Sequence, residues 1–303
     1  MAIQLRVGFV GIGNMGWPMA GNIAAAGYPT LVYDSDPARA ERFARERNAT
    51  AVNSLAELGQ SADLIVTMLP TGGDVRDVML GKGDGGVADT LGSGSIVVDM
   101  SSSDPVRTRE LGKTLSDRGI ALIDAPVSGL VAKAETGTLT IMIGADDEQA
   151  LQAATPVLEV LGERLIRIGA LGAGHAMKAL NNFVGAAAFT ATAEALIVGK
   201  RFGLDPKIMT QVLDVSTGRS FHSAMTFPEH VIPRRFSTGF TLGLLAKDVG
   251  IAGDLSEAVE AETPLLELIT TMWDEAREAV GAQADNSAVI RHWEQRNGVV
   301  VES

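Results

Sequence analysis

The sequence contains no cysteine, which excludes disulfides, thiolate metal sites and thiol nucleophiles together and is compatible with a reducing cytoplasm. Histidine is scarce: the four, His175, His222, His230 and His292, show no H-E-x-x-H or other ligand spacing, so no metal site is expected. There is no G-x-S-x-G, and so no nucleophile elbow for a serine hydrolase. Positive charge is in deficit, with 25 Lys+Arg against 37 Asp+Glu and a formal charge of -12, so the long-range field repels nucleic acid and anionic membrane surfaces. The opening "MAIQLRVGFVGIG" lacks a basic leader followed by an apolar core, which predicts no export signal and a cytoplasmic protein. The longest apolar stretch, "FVGAAAFTATAEALIVG" (183–199), carries Glu194, Thr190 and Thr192 and is too short to span a bilayer by itself, so a buried helix is expected.

What is present is material for two packed domains: 303 residues, 46% of them hydrophobic. In the first half, short β-branched runs alternate with helical patterns, at 5–10, 30–33, 63–69, 95–100, 120–125, 138–144 and 164–169. That rhythm predicts a mostly parallel sheet with helices on both faces, the last two strands being antiparallel additions. Several of the runs are apolar at nearly every position, as strands covered on both faces are. After Gly169 the glycine-broken "ALGAG" (170–174) reads as a hinge, and the chain beyond it is helical in character. A long helix is expected over 175–202 with a stop at Gly203, then one opened by Asp205 as N-cap and Pro206 at the first helical position, then others near 242–256, 262–280 and 286–295. The fold class predicted is therefore α/β: a doubly wound N-terminal domain over 1–169 and an all-helical domain over 170–303, with the glycine-rich 81–94 segment as a loop.

"GFVGIGNMG" carries Gly11, Gly13 and Gly16 in the G-x-G-x-x-G spacing, with Ile12, Asn14 and Met15 between them. The glycines serve a tight turn, backbone approach to a pyrophosphate, and close packing of helix on strand. Glycine spacing alone also fits an ordinary turn; the strand before it, the helix after it and an acidic residue, Asp34, at the end of the second strand point to a dinucleotide site. A carboxylate at Asp34 can hold the adenosine ribose hydroxyls and repels a 2′-phosphate, and Asp36 adds to that repulsion or caps the next helix, so NAD is favoured over NADP. Arg39 is the nearby residue that works against this preference.

In an open α/β sheet the ligand lies beyond the carboxyl ends of the strands, here "MLPTGG" (68–73), "DMSSSDP" (99–105) and "DAPVSGL" (124–130). Each by itself is the composition of a loop; together with a dinucleotide turn they are candidates to face a nicotinamide and a small substrate. Lys178 and Asn182 are four apart, so on a helix they share a face. A lysine among Ala176, Met177, Ala179 and Leu180 is partly desolvated, which disfavours its charged form and poises it for proton transfer. The other reading, a lysine that snorkels to solvent from a helix edge, is left open by spacing alone. His175, three residues before Lys178, either borders the site or starts the helix.

With these residues assembled, the chain resembles the β-hydroxyacid dehydrogenase family, the group of 3-hydroxyisobutyrate dehydrogenase and tartronate semialdehyde reductase, related to 6-phosphogluconate dehydrogenase. The resemblance spans nearly the whole chain and rests on "GFVGIGNMGWPMAGNI", "DAPVSGLVAKAETGTLTIMIG", "GAGHAMKALNN" and "LLAKDVGIA". It implies that Lys178 is the catalytic lysine and that Asn182 helps hold substrate and lysine. Ser128 and Gly129 match the substrate-carboxylate loop, whose hydroxyl and amides suit an anion. Met68, Leu69, Pro70 and Ser102 match cofactor contacts on the nicotinamide side; Lys247 matches a lysine that reaches the cofactor from the helical domain, and Asp248 beside it is expected to be structural. Where most members read Ser-Gly-Gly, this chain has Leu130, which narrows or greases the substrate end; Lys133 either adds positive charge there or is solvated.

The resemblance implies an NAD-dependent oxidoreductase acting on the 3-hydroxyl of a small carboxylic acid, or in reverse on a semialdehyde such as tartronate semialdehyde, with the site in the cleft between the domains and assembly as a homodimer or homotetramer through the helical domain. No nucleic-acid or membrane partner is expected. An imine reductase, which shares the fold, generally lacks the lysine; a nucleotide-sensing module that has lost catalysis has no need to keep both Lys178 and Asn182.

Overall fold

The computed structural model describes residues 5–83 and 85–302. Residues 1–4, on which the reading of a missing leader partly rests, and Asp84 in the expected 81–94 loop lie outside the described residues. The chain forms two compact units, Met1–Lys178 and Ala179–Ser303.

The first unit is a nine-stranded sheet: β1 (Val7–Val10), β2 (Thr30–Tyr33), β3 (Thr50–Ala51), β4 (Leu64–Thr67), β5 (Ile96–Asp99), β6 (Ala121–Asp124), β7 (Val127–Ser128), β8 (Leu139–Ala145) and β9 (Gly162–Gly169). The spatial order β3-β2-β1-β4-β5-β6-β8-β7, with β9 on β8, makes the first six strands all parallel, with the chain reversing direction across the sheet between β1 and β4. β8 runs antiparallel to β6 and β7, and β9 lies parallel to β8, so both late strands oppose the main sheet as expected. β1, β4 and β5 are buried at every position, which is why their sequences are apolar without alternation. The helices that cover them are α1 (Gly16–Ala25), α2 (Pro37–Arg47), α3 (Leu55–Ser61), α4 (Gly72–Leu80), α5 (Pro105–Ser116), α6 (Leu130–Thr136) and α7 (Glu148–Leu161). Two apolar clusters result, one on each face: Phe9, Met19, Val66 and Ile141 in one, Leu58, Ile65, Val97 and Leu115 in the other. The 81–94 segment carries only a single 3-10 turn, Val87–Asp89, among its described residues.

α8 (Ala173–Phe202) begins at the end of the first unit and runs on through the second. It stops where Gly203 takes φ +100°. By length and composition α8 could cross a bilayer, but Ala186, Phe189, Ala193, Leu196 and Ile197 are buried in the core of the second unit, the behaviour of a core helix. Asp205 caps α9 (Pro206–Asp214) with Pro206 in its first turn, as predicted. α10 (Leu242–Ala258), α11 (Pro264–Val280) and α12 (Ile290–Asn297) come next, the last preceded by a 3-10 turn over Asn286–Val289. A π-helical segment, His222–Val231, has no periodic signature in the sequence and contains Pro228, which has no N–H to give a regular helix. The second core centres on Phe189, Phe227, Trp273 and Trp293, with the indole of Trp273 donating to Thr190 Oγ1 at 3.0 Å.

Candidate active site

The turn after β1 is built by backbone. Gly11 has φ +96°, a conformation side chains rarely adopt, and a Cβ there would meet the Met68 carbonyl. A Cβ on Gly16 would run into the carbonyl oxygen of Gly11, so α1 can pack this close to β1 only with glycine there. Gly13 has nothing within 4 Å of where its Cβ would lie. That open space, in front of a helix with no side-chain cap on its first amides, fits a pyrophosphate: Gly13, Asn14, Met15 and Gly16 would hold it through main-chain N–H groups.

Asp34, 7% exposed, ends the region of β2 as predicted. Its carboxylate accepts from the Ile12 N–H at 2.7 Å and the Asp36 N–H at 2.9 Å, so it fixes the phosphate turn from below while standing where an adenosine ribose would lie. Arg39 lies 3.2 Å from Asp34 and 3.7 Å from Asp36, partly offsetting their charge. Asp36 caps α2 by accepting from Ala38 and Arg39. Glycine spacing and a strand-end acid signal the turn; the salt bridge from Arg39 closes only once α2 winds it back over the strand end.

The carboxyl ends of the neighbouring strands carry the other candidates of this unit. Met68 and Leu69 are half-buried and Pro70 exposed, with the Leu69 N–H donating to Ser101 Oγ at 2.9 Å. Ser102 is half-buried between buried Ser101 and Ser103. Ser128 closes β7 and is half-buried; Gly129, at φ +142°, leads into α6, and Leu130 takes φ +59° with its side chain 44% exposed. A leucine held in the left-handed region is strained, and such strain collects at ligand sites. Lys133 is exposed, its Nζ 3.7 Å from Glu163.

Two buried carboxylates at these strand ends were not singled out by sequence. Asp99 accepts from Thr67 Oγ1 at 2.8 Å, the Ser101 N–H at 3.0 Å and Ser103 Oγ at 2.9 Å. Asp124 accepts from the Gly172 and His175 N–H groups at 2.7 and 2.8 Å. His175 itself is buried at the start of α8. The only sequence signal was a strand-terminal aspartate before small residues, in "DMSS" and "DAPVSG".

Lys178 is half-buried on the second turn of α8, and Asn182, also half-buried, comes one turn later on the same helical face. In the second unit the Asn182 amide donates to Asp248 Oδ2 at 2.6 Å, and Lys247 Nζ lies 3.1 Å from Asp248 Oδ1. Buried Asp248 on α10 thus brings Asn182 and Lys247 together; by taking the Asn182 N–H it fixes the amide orientation and presents Asn182 Oδ1 as an acceptor. Asn181 is exposed. Among the described residues, no group of three or more His, Asp or Glu side chains is placed to hold a metal.

Two family profiles cover the chain. One, described as the NAD binding domain of 6-phosphogluconate dehydrogenase, matches residues 6–169; the other, described as the NAD-binding of NADP-dependent 3-hydroxyisobutyrate dehydrogenase, matches residues 172–293. 2-(Hydroxymethyl)glutarate dehydrogenase of Eubacterium barkeri is 35% identical over 301 residues, 99% of either chain. Mitochondrial 3-hydroxyisobutyrate dehydrogenase of Mus musculus is 38% identical over 272 residues, 88% of this chain and 79% of its own. A solved structure of Mycobacterium tuberculosis 3-hydroxyisobutyrate dehydrogenase with L-serine is similar at TM-score 0.87 and 32% identity, over 96% of this chain and 99% of that one. The backbone-built phosphate turn and relatives that match most or nearly all of the chain lead to one conclusion: the chain belongs to the β-hydroxyacid dehydrogenase family, and it is an oxidoreductase that binds a nicotinamide dinucleotide and acts on a hydroxyl group.

Proposed function

We propose that this enzyme oxidises the 3-hydroxyl of a small β-hydroxy acid, of the 3-hydroxyisobutyrate kind, reversibly to the semialdehyde, with NAD as the preferred dinucleotide and Lys178 as acid and base. The observation that carries the reading is the pairing on α8: a half-buried lysine with, one turn on, an asparagine whose amide is oriented by a buried carboxylate.

The bound nicotinamide supplies the hydride acceptor. Lys178 Nζ, as the free amine, takes the proton of the substrate hydroxyl; in the reverse direction its ammonium returns that proton to the forming alkoxide. Asn182, through Oδ1, accepts a hydrogen bond and so orients the hydroxyl or the lysine ammonium. Ser128 Oγ and the amides after Gly129 receive the substrate carboxylate. Leu130 stands beside them as an exposed apolar side chain, which favours an acid with an apolar substituent at C2 over glycerate or serine. Asp34 disfavours a 2′-phosphate, Arg39 notwithstanding.

The second unit also presents exposed Val198, Phe202, Ile208, Val212 and Phe221 along α8, α9 and the segment after it, large apolar side chains that a partner subunit would cover, which supports a homo-oligomer. The test of the whole reading is NADH formation across β-hydroxy acids of increasing C2 substituent, with NAD and NADP in parallel. Turnover on 3-hydroxyisobutyrate-like acids with NAD is expected; no turnover on any β-hydroxy acid overturns the reading, and equal rates with NADP overturn its cofactor half.

A further inference from the structure

Three features of the first unit converge on the first turn of α8. Asp124 is fully buried, and its two carboxylate oxygens take separate N–H groups of that turn, Gly172 on Oδ1 and His175 on Oδ2. The carboxylate sits in a cradle that only glycine permits: a Cβ on Gly144 would run into Asp124 and lie 2.8 Å from the Ala170 carbonyl, and one on Gly174 would lie 2.9 Å from Asp124 Oδ2. The His175 ring, 1% exposed, packs with Nδ1 2.8 Å from Thr108 Oγ1 and Nε2 3.6 Å from Asp99 Oδ2. Nε2 makes no hydrogen bond, and Nδ1 also lies 3.9 Å from Asp124 Oδ2, so the ring is wedged between the two strand-end carboxylates. The hinge just before is held as well, with Arg109 Nε donating to the Leu171 carbonyl at 2.9 Å and the Leu171 N–H donating to Asp146 at 3.0 Å. The charged groups that face the His175 ring are therefore Asp99 and Asp124, from β5 and β6, while Arg109 of α5 and Asp146 of the loop after β8 hold the hinge at Leu171.

We infer that Asp124 and His175 are positioning residues for Lys178: together they set where α8 begins and how it is rotated, and so where the lysine amine lies. Lys178 comes three residues after His175 on the same face, about 4.5 Å further along the axis, so a slide or turn of the first residues is passed to it almost undiminished. Buried amides that lose their acceptor drive the turn to find another, and a reacting group displaced by about 1 Å can lose about 100-fold in rate. The inference rests on the proposed role of Lys178.

The experiment is steady-state turnover of Asp124→Asn, His175→Leu and His175→Gln, with active sites counted by NADH fluorescence titration so that misfolded protein does not enter kcat. Asp124→Asn keeps the shape but turns an amide donor toward an N–H; kcat per NADH site is expected to fall at least about tenfold, with the KM values for NAD and hydroxy acid within about threefold of the parent. His175→Leu is expected to fall similarly, while His175→Gln, which retains a polar side chain able to pair with Thr108 Oγ1, recovers most of the loss. A purely structural role would lower melting temperature and the number of sites but leave kcat per site within about twofold of the parent in both Asp124→Asn and His175→Leu, and that result overturns the inference. If Asp124→Asn fails to fold, the two His175 variants decide it: equal kcat per site in Leu and Gln overturns the claim. Lys178→Ala run alongside separates the two failures. Should it retain turnover, the acid/base role and the positioning claim fall together; should it abolish turnover while the other variants keep theirs, only the positioning claim falls.

Discussion

The two units make their candidate sites from different material. In the first, the phosphate turn is main chain: Gly11, Gly13 and Gly16 are defined by what a Cβ would strike or leave open, and the one side chain that matters there, Asp34, spends its carboxylate on amides. In the second, the site elements are side chains held by side chains, Asn182 on Asp248 and Lys247 beside them. A backbone site tolerates changes of side-chain chemistry but not an added methyl group; a side-chain site tolerates added bulk nearby but not the loss of one partner.

That difference can be broken or sharpened by experiment. The largest effect is expected at Lys178, the last residue of the first unit: Lys178→Ala should lower kcat by about 1,000-fold, the usual worth of a positioned acid/base group, while NADH still binds, as measured by fluorescence titration. Next comes acid stability in the second unit. Burial beside Phe189 and Phe221 holds the His222 imidazole down to about 4 from its ordinary 6.5, a contact with the Gly185 backbone working the other way. The folded state therefore keeps His222 neutral where the unfolded chain protonates it. Stability is complete above pH 6.5 and lost as pH falls toward about 4, by up to about 3 kcal/mol from this residue. Urea unfolding of the parent against His222→Gln across that window should show the loss shrinking in the variant.

Smaller effects separate the glycines from one another. Gly16→Ala, which drives a methyl into the Gly11 carbonyl, should cost about 2 kcal/mol of stability by chemical denaturation. Gly13→Ala has room for its methyl and should leave stability unchanged while raising the Kd for NADH about tenfold, because the methyl stands where the pyrophosphate approaches. The smallest is Asp34→Asn: its charge is already part-offset by Arg39, so the NAD to NADP preference in kcat/KM should shift by only about 1 kcal/mol toward NADP.

Legibility in the sequence divides along the same line. Strands read from runs of apolar residues were found within a few residues of their observed ends, and Gly203 and Asp205 ended and began helices where their backbone and side-chain chemistry require. β3 and β7, two residues each, were missed because so short a strand has no period, and the π-helical segment because no simple periodicity marks it. The glycine turn and Asp34 were legible because their spacing is local. Asp124 was not legible as a clamp, nor Asn182 as the partner of Asp248, whose structural role the resemblance implied, because what defines these carboxylates is an acceptor role toward groups far away in sequence: Asp124 and the His175 amide are 51 residues apart, Asn182 and Asp248 66. Leu130 was legible as an oddity, but its left-handed backbone was visible only in three dimensions.

Lys178 Nζ as the proton acceptor is the central claim, and chemical rescue tests it most directly. Lys178→Ala, shown by titration to bind NADH, is assayed with a series of small primary amines of increasing basicity. Turnover should return in proportion to amine concentration and rise with basicity at constant amine size, since the added amine takes the vacated place and the same proton. If Lys178→Ala turns over at the parent rate without any amine, the lysine is not the acid/base group of this enzyme.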